Sequence, residues 1–152
     1  MAFEVRVTLQ RIQGYAAASG HFQDSMIGEP KSPPGGPRPT AAVFMNSASV
    51  AQVMADGATL EVHVVTLRIY RDMLEDSVEV AEVELADAVS YVAEDILGEF
   101  DLGATIRHVD AAGIYGQGVT YTWGYVSIGD KMYRSVDIQL PCVVDGSVTM
   151  AA

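Results

Sequence analysis

A single cysteine, Cys142, stands in 152 residues, so no internal disulfide can brace this chain, and its fold has to rest on burial and hydrogen bonding. Such use of cysteine fits a reducing compartment or indifference to redox, and Cys142 reads as a small buried hydrophobe on a strand. Histidine is nearly as scarce: His21, His63 and His108 are scattered, and none is three or four residues from a second ligand. Zinc needs three or four convergent donors, so no metal or cofactor is expected. Basic residues are few, 9 against 20 acids, which leaves a formal charge of −11. Clamping DNA through its phosphates would take a dense basic patch, and none is visible. No run of about 20 apolar residues is present to span a membrane as a helix. The opening MAFEVRVTLQ lacks the basic-then-apolar pattern of a secretory signal, so none is expected.

Apolar residues are plentiful at 49%, while charged residues make up only 19%. That balance predicts a globular chain with a lean charged surface. A chain of this length is most simply one domain, 1–152, able to bury roughly 70% of the surface exposed when unfolded.

Residues 3–18, FEVRVTLQRIQGYAAA, fit two periods. Phe3, Val5, Val7 and Leu9 alternate like a strand, whereas Val5, Leu9, Ile12 and Ala16 share a helical face. The alanines and straight-chain residues tip the reading to a helix that Gly20 would end. Residues 24–40, DSMIGEPKSPPGGPRPT, hold five prolines and three glycines. Neither residue suits a helix or ladder interior, so an irregular extended arm is predicted. Loops beyond about 12–15 residues are commonly functional or disordered, and proline limits the entropy lost if such an arm docks on a neighbour.

AAVFM at 41–45 reads as a strand, and TLEVHVVTLRIY at 59–70 as a longer one. In the latter, apolar residues switch faces after Val65, which predicts either a bulge or a strand covered on both sides. From Ser77 the positions Val78, Ala81, Leu85, Val89, Val92 and Ile96 follow a 3–4 spacing, predicting a long helix capped by Ser77 and closed by Gly98. Its outward side carries Glu79, Glu82, Glu84, Asp87, Glu94 and Asp95 without a lysine or arginine. Glu94 and Asp95 sit at the end of the helix dipole that disfavours acids. A turn and a strand near 104–110 follow.

GVTYTWGYVSIGDKMYRSVDIQL, residues 118–140, is the most legible stretch. With Gly129–Asp130 as a two-residue turn, Ser127 pairs with Met132, Tyr125 with Arg134, Trp123 with Val136, Tyr121 with Ile138 and Val119 with Leu140. That face is nearly all apolar and is predicted to pack on a core whose natural cover is the long helix. The opposite face pairs Ile128 with Lys131, Val126 with Tyr133, Gly124 with Ser135, Thr122 with Asp137 and Thr120 with Gln139, and is predicted to meet water or a neighbour. A slip of one residue would scramble the separation, so the register is strongly specified. These elements predict an α+β fold: an antiparallel or mixed sheet packed on one face by the long helix and the N-terminal helix, with the Pro/Gly-rich arm attached.

No catalytic constellation emerges. The glycines at 113, 116 and 118 precede a strand where a phosphate cradle needs a helix, so they read as turn or bulge residues. No G-x-S-x-G elbow is present. His108 and Asp110, two apart on a predicted strand, read as a surface pair. The helix carboxylates lack the apolar setting that raises a catalytic pKa. The chain is therefore expected not to be an enzyme.

The order of elements, with RIYRD before the long acidic helix, LGATI after it and the GYVSIGDKMYRSVDIQL hairpin at the end, resembles the tail terminator (tail-completion) proteins of long-tailed bacteriophages, notably those of actinobacteria. The resemblance covers about residues 40–145. It implies a virion protein of the tail and neck, assembled in the host cytoplasm. Six copies would form a homo-oligomeric ring on the last ring of tail tube protein, stop tube growth and dock a head-side connector. DNA would pass through the bore without specific binding, and no membrane would be involved. Six copies at −11 each total −66, and an acidic bore would keep phosphate mobile. On that reading Glu79, Glu82, Asp87, Glu94 and Asp95 are candidate bore-facing acids. Pro33, Pro34, Pro37, Tyr133 and Asp137 are candidate interface residues, tyrosine being favoured at interfaces. A head-closure or minor tail adaptor is the first rival. A small enzyme or ligand-binding domain is the second, and it would need a deep pocket lined by His63, His108 or the helix acids.

Overall fold

The long helix shows how the sequence positions everything else. In the computed structural model, which describes residues 3–73 and 77–149 (the last three by backbone only), Ser77 caps this helix by accepting the Val80 N–H at 3.3 Å. The helix, α2 (Val78–Gly98), buries Ala81, Leu85, Ala88, Val89, Val92, Ala93 and Ile96 along one stripe. Val78 belongs to the predicted stripe but is exposed. Gly98 lies inside the last turn, and Glu99 takes the cap with its N–H on the Ile96 carbonyl. The N-terminal segment is the helix α1 (Val5–Ser19), ended by Gly20 at φ 78°, a left-handed angle that glycine adopts without strain.

Among the described residues six strands form the sheet: β1 (Asp24–Ile27), β2 (Thr40–Val53), β3 (Ala58–Asp72), β4 (His108–Val109), β5 (Thr120–Ile128) and β6 (Lys131–Thr149). The order is β1-β2-β3-β6-β4, and β5 pairs with β6 on the same side as β4. β1 joins β2 in parallel and the other pairings are antiparallel. Both helices cover one face, where Leu9, Ile12 and Ala16 of α1 and Leu85, Val89, Val92 and Ile96 of α2 meet Val43, Leu67, Ile69, Val136, Ile138 and Leu140. The fold is thus α+β, as the pattern of elements predicted.

β3 pairs with β6 without a register shift from Leu60 to Asp72. The change of apolar face along β3 therefore reflects cover on both sides. Val65, Leu67 and Ile69 face the helices, and Leu60 and Val62 form a second cluster with Val143. The bulges lie in β2 instead, between Met45 and Ser47 and between Val50 and Gln52.

Three segments differ from expectation. The first four residues of the predicted arm are the edge strand β1, hydrogen-bonded to β2. The predicted strand at 104–110 shrinks to His108–Val109, because Leu102, Gly103 and Ala104 take φ of 47°, 68° and 64°, a left-handed turn no strand can include. β6 continues past Leu140 through Pro141. The Pro141 carbonyl accepts the Asp110 N–H, so its hydrogen-free nitrogen faces the seam between β5 and β4, where no ladder bond is lost.

Candidate interaction surface

The hairpin of β5 and β6 has the register its sequence specifies, from Ile128 opposite Lys131 to Thr120 opposite Gln139. Gly129 at φ 63° opens the turn, and no positive angle follows at Asp130, the signature of a turn with glycine in its first central position. Val119 and Leu140, the fifth predicted pair on the apolar face, lie beyond the paired stretch.

Cover on that face is uneven. The β6 half is fully buried at Val136 and Ile138, but the β5 half projects past the helix. Tyr121 is 40% exposed, Trp123 41% and Tyr125 62%. α2 presents Ala86, Ala93 and Leu97 toward Tyr121 and Trp123 across an open groove of about 410 Å³. The Arg134 guanidinium lies 4.7 Å from the Tyr125 ring centre and grips Glu82 of α2 with bonds of 2.9 and 3.2 Å. That grip fixes the ring at the groove's edge, and hydrogen bonding to Arg134 holds the Glu82 carboxyl below its usual range. The expectation that α2 would close over the whole apolar face fails for the β5 aromatics, because a single helix cannot reach both β3 and the outermost strand.

The acids of α2 divide into two groups. Glu82 binds Arg134, and Glu84 holds the fully buried Arg71 at 3.0 Å, so both are tied to the sheet. Glu79, Asp87, Glu94 and Asp95 stand exposed, Glu94 on the wall of the groove beside Tyr121 and Trp123 and Asp87 in a recess with His21 and Arg38. The sequence reading treated all of them as one free face; the cross-element pairs with arginines far along the chain were invisible to local spacing.

The interface candidates are placed differently from expectation. Tyr133 is 1% exposed and packs edge-on against Tyr70, with centroids 6.1 Å apart, so it does not face water or a neighbour. Its hydroxyl donates to the Pro34 carbonyl of its own chain, and burial raises its pKa. Asp137 takes a bidentate grip from Arg68 at 2.6 and 3.0 Å, and Arg68 also reaches Glu29 at 2.9 Å. Pro33 sits against the hairpin turn, 3.2 Å from where a Cβ on Gly129 would lie, while Pro37 is exposed. The Pro/Gly segment thus folds back over the hairpin's second face, a return that composition alone does not disclose.

His63 meets Glu61 at 2.8 Å and packs on Phe3, and His21 stacks on Tyr91. The expected His108–Asp110 surface pair does not form. Asp110 is buried and accepts the N–H groups of Ile114 and Tyr115 at 2.8 and 2.9 Å. It anchors a tight loop in which a Cβ at Gly118 would strike the Ala111 carbonyl and one at Gly113 the Gly116 carbonyl, so these two glycines serve the turn, while Gly116 borders open space. Among the described residues, no group of three or more His, Cys, Asp or Glu could hold a metal ion, and no helix is long and apolar enough to cross a membrane. No protein-family model matches the chain, and no curated protein matches it.

Proposed function

We propose that this chain is a structural virion protein of the tail-terminator type, which caps a phage tail tube as a homo-oligomeric ring and presents a docking surface to head-side connector proteins. The observation that carries this reading is the aromatic stripe of β5, Tyr121, Trp123 and Tyr125, left uncovered beside α2 on a chain of charge −11. Aromatic residues are enriched, and charge depleted, at the centres of protein interfaces. The polar and charged groups that elsewhere would form a substrate site are spent on the chain itself: Asp110 on loop amides, Arg71 on Glu84, Arg134 on Glu82 and Arg68 on Asp137. Available to other molecules are shape, apolar area and the exposed acids Glu79, Asp87, Glu94 and Asp95, alongside an open recess where Glu84 and Asp87 meet His21 and Arg38. In a ring these acids would repel the phosphate backbone and let DNA slide.

The test is tail assembly with and without this protein, followed by electron microscopy of particles and of purified protein mixed with tubes. Overlong tubes in its absence, and a ring at the tube end in its presence, are the expected result. Tails of normal length that fail to join heads would replace termination by a head-closure adaptor. No association with tubes or heads would end the reading altogether.

A further inference from the structure

Among the described residues, β5 is the one long edge strand whose pairing runs without a register shift and which carries no charge. Natural edges are blunted by charges, bulges, proline or side-chain caps, and the opposite side of the sheet uses two of these devices. At β1 the Ser25 N–H is capped by the Asp24 carboxylate at 2.9 Å and its carbonyl by the Gln13 amide at 2.9 Å. Beyond β1, the free side of β2 is broken by its two bulges. β5 reads TYTWGYVSI, without charge, proline or register shift, and no residue in it is buried. Among the described residues its only strand partner is β6.

A two-residue turn makes Ile128–Lys131 a hydrogen-bonded pair, and the antiparallel alternation then fixes the rest. The N–H and C=O groups of Thr120, Thr122, Gly124 and Val126 point to β6. Those of Tyr121, Trp123, Tyr125 and Ser127 point away from it, toward the open edge. We propose that this edge pairs antiparallel with the β5 edge of a second copy, about a two-fold axis beside Gly124. The pairing places Trp123 opposite Tyr125 of the second copy and Tyr121 opposite its Ser127, so every outward group meets an outward group. About eight hydrogen bonds form by the antiparallel pattern.

Two observations favour a second copy over an unrelated strand. Side chains two apart share a face, so the aromatics of both copies line up as cross-strand pairs on the side already exposed beside α2. Copies at −11 each repel one another, but β5 itself is uncharged and the guanidinium over Tyr125, that of Arg134, is neutralised by Glu82, so the repulsion is met at the strip's rim, where Glu94 stands, and not along the strand. Gly124 fits as well. A glycine within a strand marks a bend or the close approach of another backbone. The β5–β6 register is unbroken at Gly124, its φ is not positive, and a Cβ there would meet only the Ser135 hydroxyl at 3.9 Å.

The inference does not rest on the ring reading and describes the free chain, because an isologous pairing closes at two copies and would have to part before the same stripe could meet a ring or tube. It is tested on the full chain by light scattering from micromolar to submillimolar concentration, with Trp123 fluorescence and amide exchange read in parallel. A dimer is expected, with emission shifting to the blue on concentration, since Trp123 is the only tryptophan. The amides of Tyr121, Trp123, Tyr125 and Ser127 should gain protection with concentration, while those of Thr120, Thr122, Gly124 and Val126 are protected throughout. Ser127→Pro removes one outward donor per copy and no backbone bond to β6, only the long contact of the Ser127 hydroxyl to the Met132 sulfur at 3.6 Å, so the dimer dissociation constant should rise about tenfold or more with the thermal melt of the monomer nearly retained. A monomer at every concentration, or an oligomer in which those four amides still exchange freely, overturns the proposal, as does a larger ring built through them.

Discussion

Arg71 has no exposed side-chain surface, and its pair with Glu84 is one of the ties between α2 and the sheet. Removing one partner of such a pair leaves the other charge short of compensation, which is costly even where the intact pair adds little net stability. Arg71 keeps other contacts, including the Asp72 carbonyl at 3.3 Å, so the loss is partial. Glu84→Ala is expected to cost about 1–2 kcal/mol, whereas Asp87→Ala, on the exposed side of the same helix, should stay within about 0.5 kcal/mol. Urea denaturation of the two variants decides this, and equal effects would contradict it. Cys142 supplies a pH signature. Burial pushes its thiol up from 9.0 to about 12, so below about pH 9 the thiol is neutral in both folded and unfolded chains and stability is unaffected. Above that, the unfolded chain releases its proton and the folded chain does not. The unfolded state then binds fewer protons, and stability falls as pH rises toward about 12, by up to about 1.4 kcal/mol per unit. Urea midpoints measured through this range should decline less steeply in Cys142→Ala, and parallel slopes would count against the assignment.

The segment 28–39 becomes an element only through what it touches. The Tyr133 hydroxyl bonds the Pro34 carbonyl, and Pro33 rests on Gly129, so the loop clasps the hairpin end of the sheet. Tyr133→Phe keeps the ring in its cluster with Ala42 and Tyr70 but deletes that bond. A stability loss of about 0.5–1.5 kcal/mol is expected, with faster tryptic cleavage at the exposed Lys31. Unchanged cleavage would mean the loop is held by its prolines alone. The same segment marks the boundary of what could be read in advance. The hairpin register was legible because alternation over both arms admits one pairing, and α2 was legible because its stripe and its Ser77 cap agree. The length of β2 was not, since NSASVAQV has no apolar alternation and is held as strand by its bonds to β3. The burial of Tyr133 and the engagement of Asp137 depend on Pro34 and Arg68, 99 and 69 residues away in the chain. The exposed aromatic stripe was misjudged for a related reason, because alternation says which residues share a face but not how far a covering helix reaches.

Charge belongs to the molecule as a whole. At −11 with only 9 basic residues, and with Arg68, Arg71 and Arg134 each paired to a carboxylate, pairing cancels charge about one for one and leaves the surplus on the remaining acids. Bringing copies together concentrates that charge, and the repulsion opposing assembly acts over a distance that salt shortens from about 30 Å at 0.01 M to about 8 Å at 0.15 M. Apolar contact by the β5 aromatics is not weakened by such salt and is slightly favoured by sulfate or phosphate. Self-association and attachment to tubes should therefore strengthen as ionic strength rises, the reverse of a protein held to nucleic acid by counterion release. Sedimentation or light scattering from 0.01 to 0.5 M salt, about the range over which the screening length changes most, measures the sign directly. Replacing Glu79, Asp87, Glu94 and Asp95 by their amide counterparts should flatten the salt dependence with little change in the melt, since the loss of Glu79 from the first turn of α2 is offset by the relief of Glu94 and Asp95 near its last turn. Association that weakens with salt would mean that assembly runs on charge attraction, and the apolar edge of β5 would then not be the surface on which copies meet.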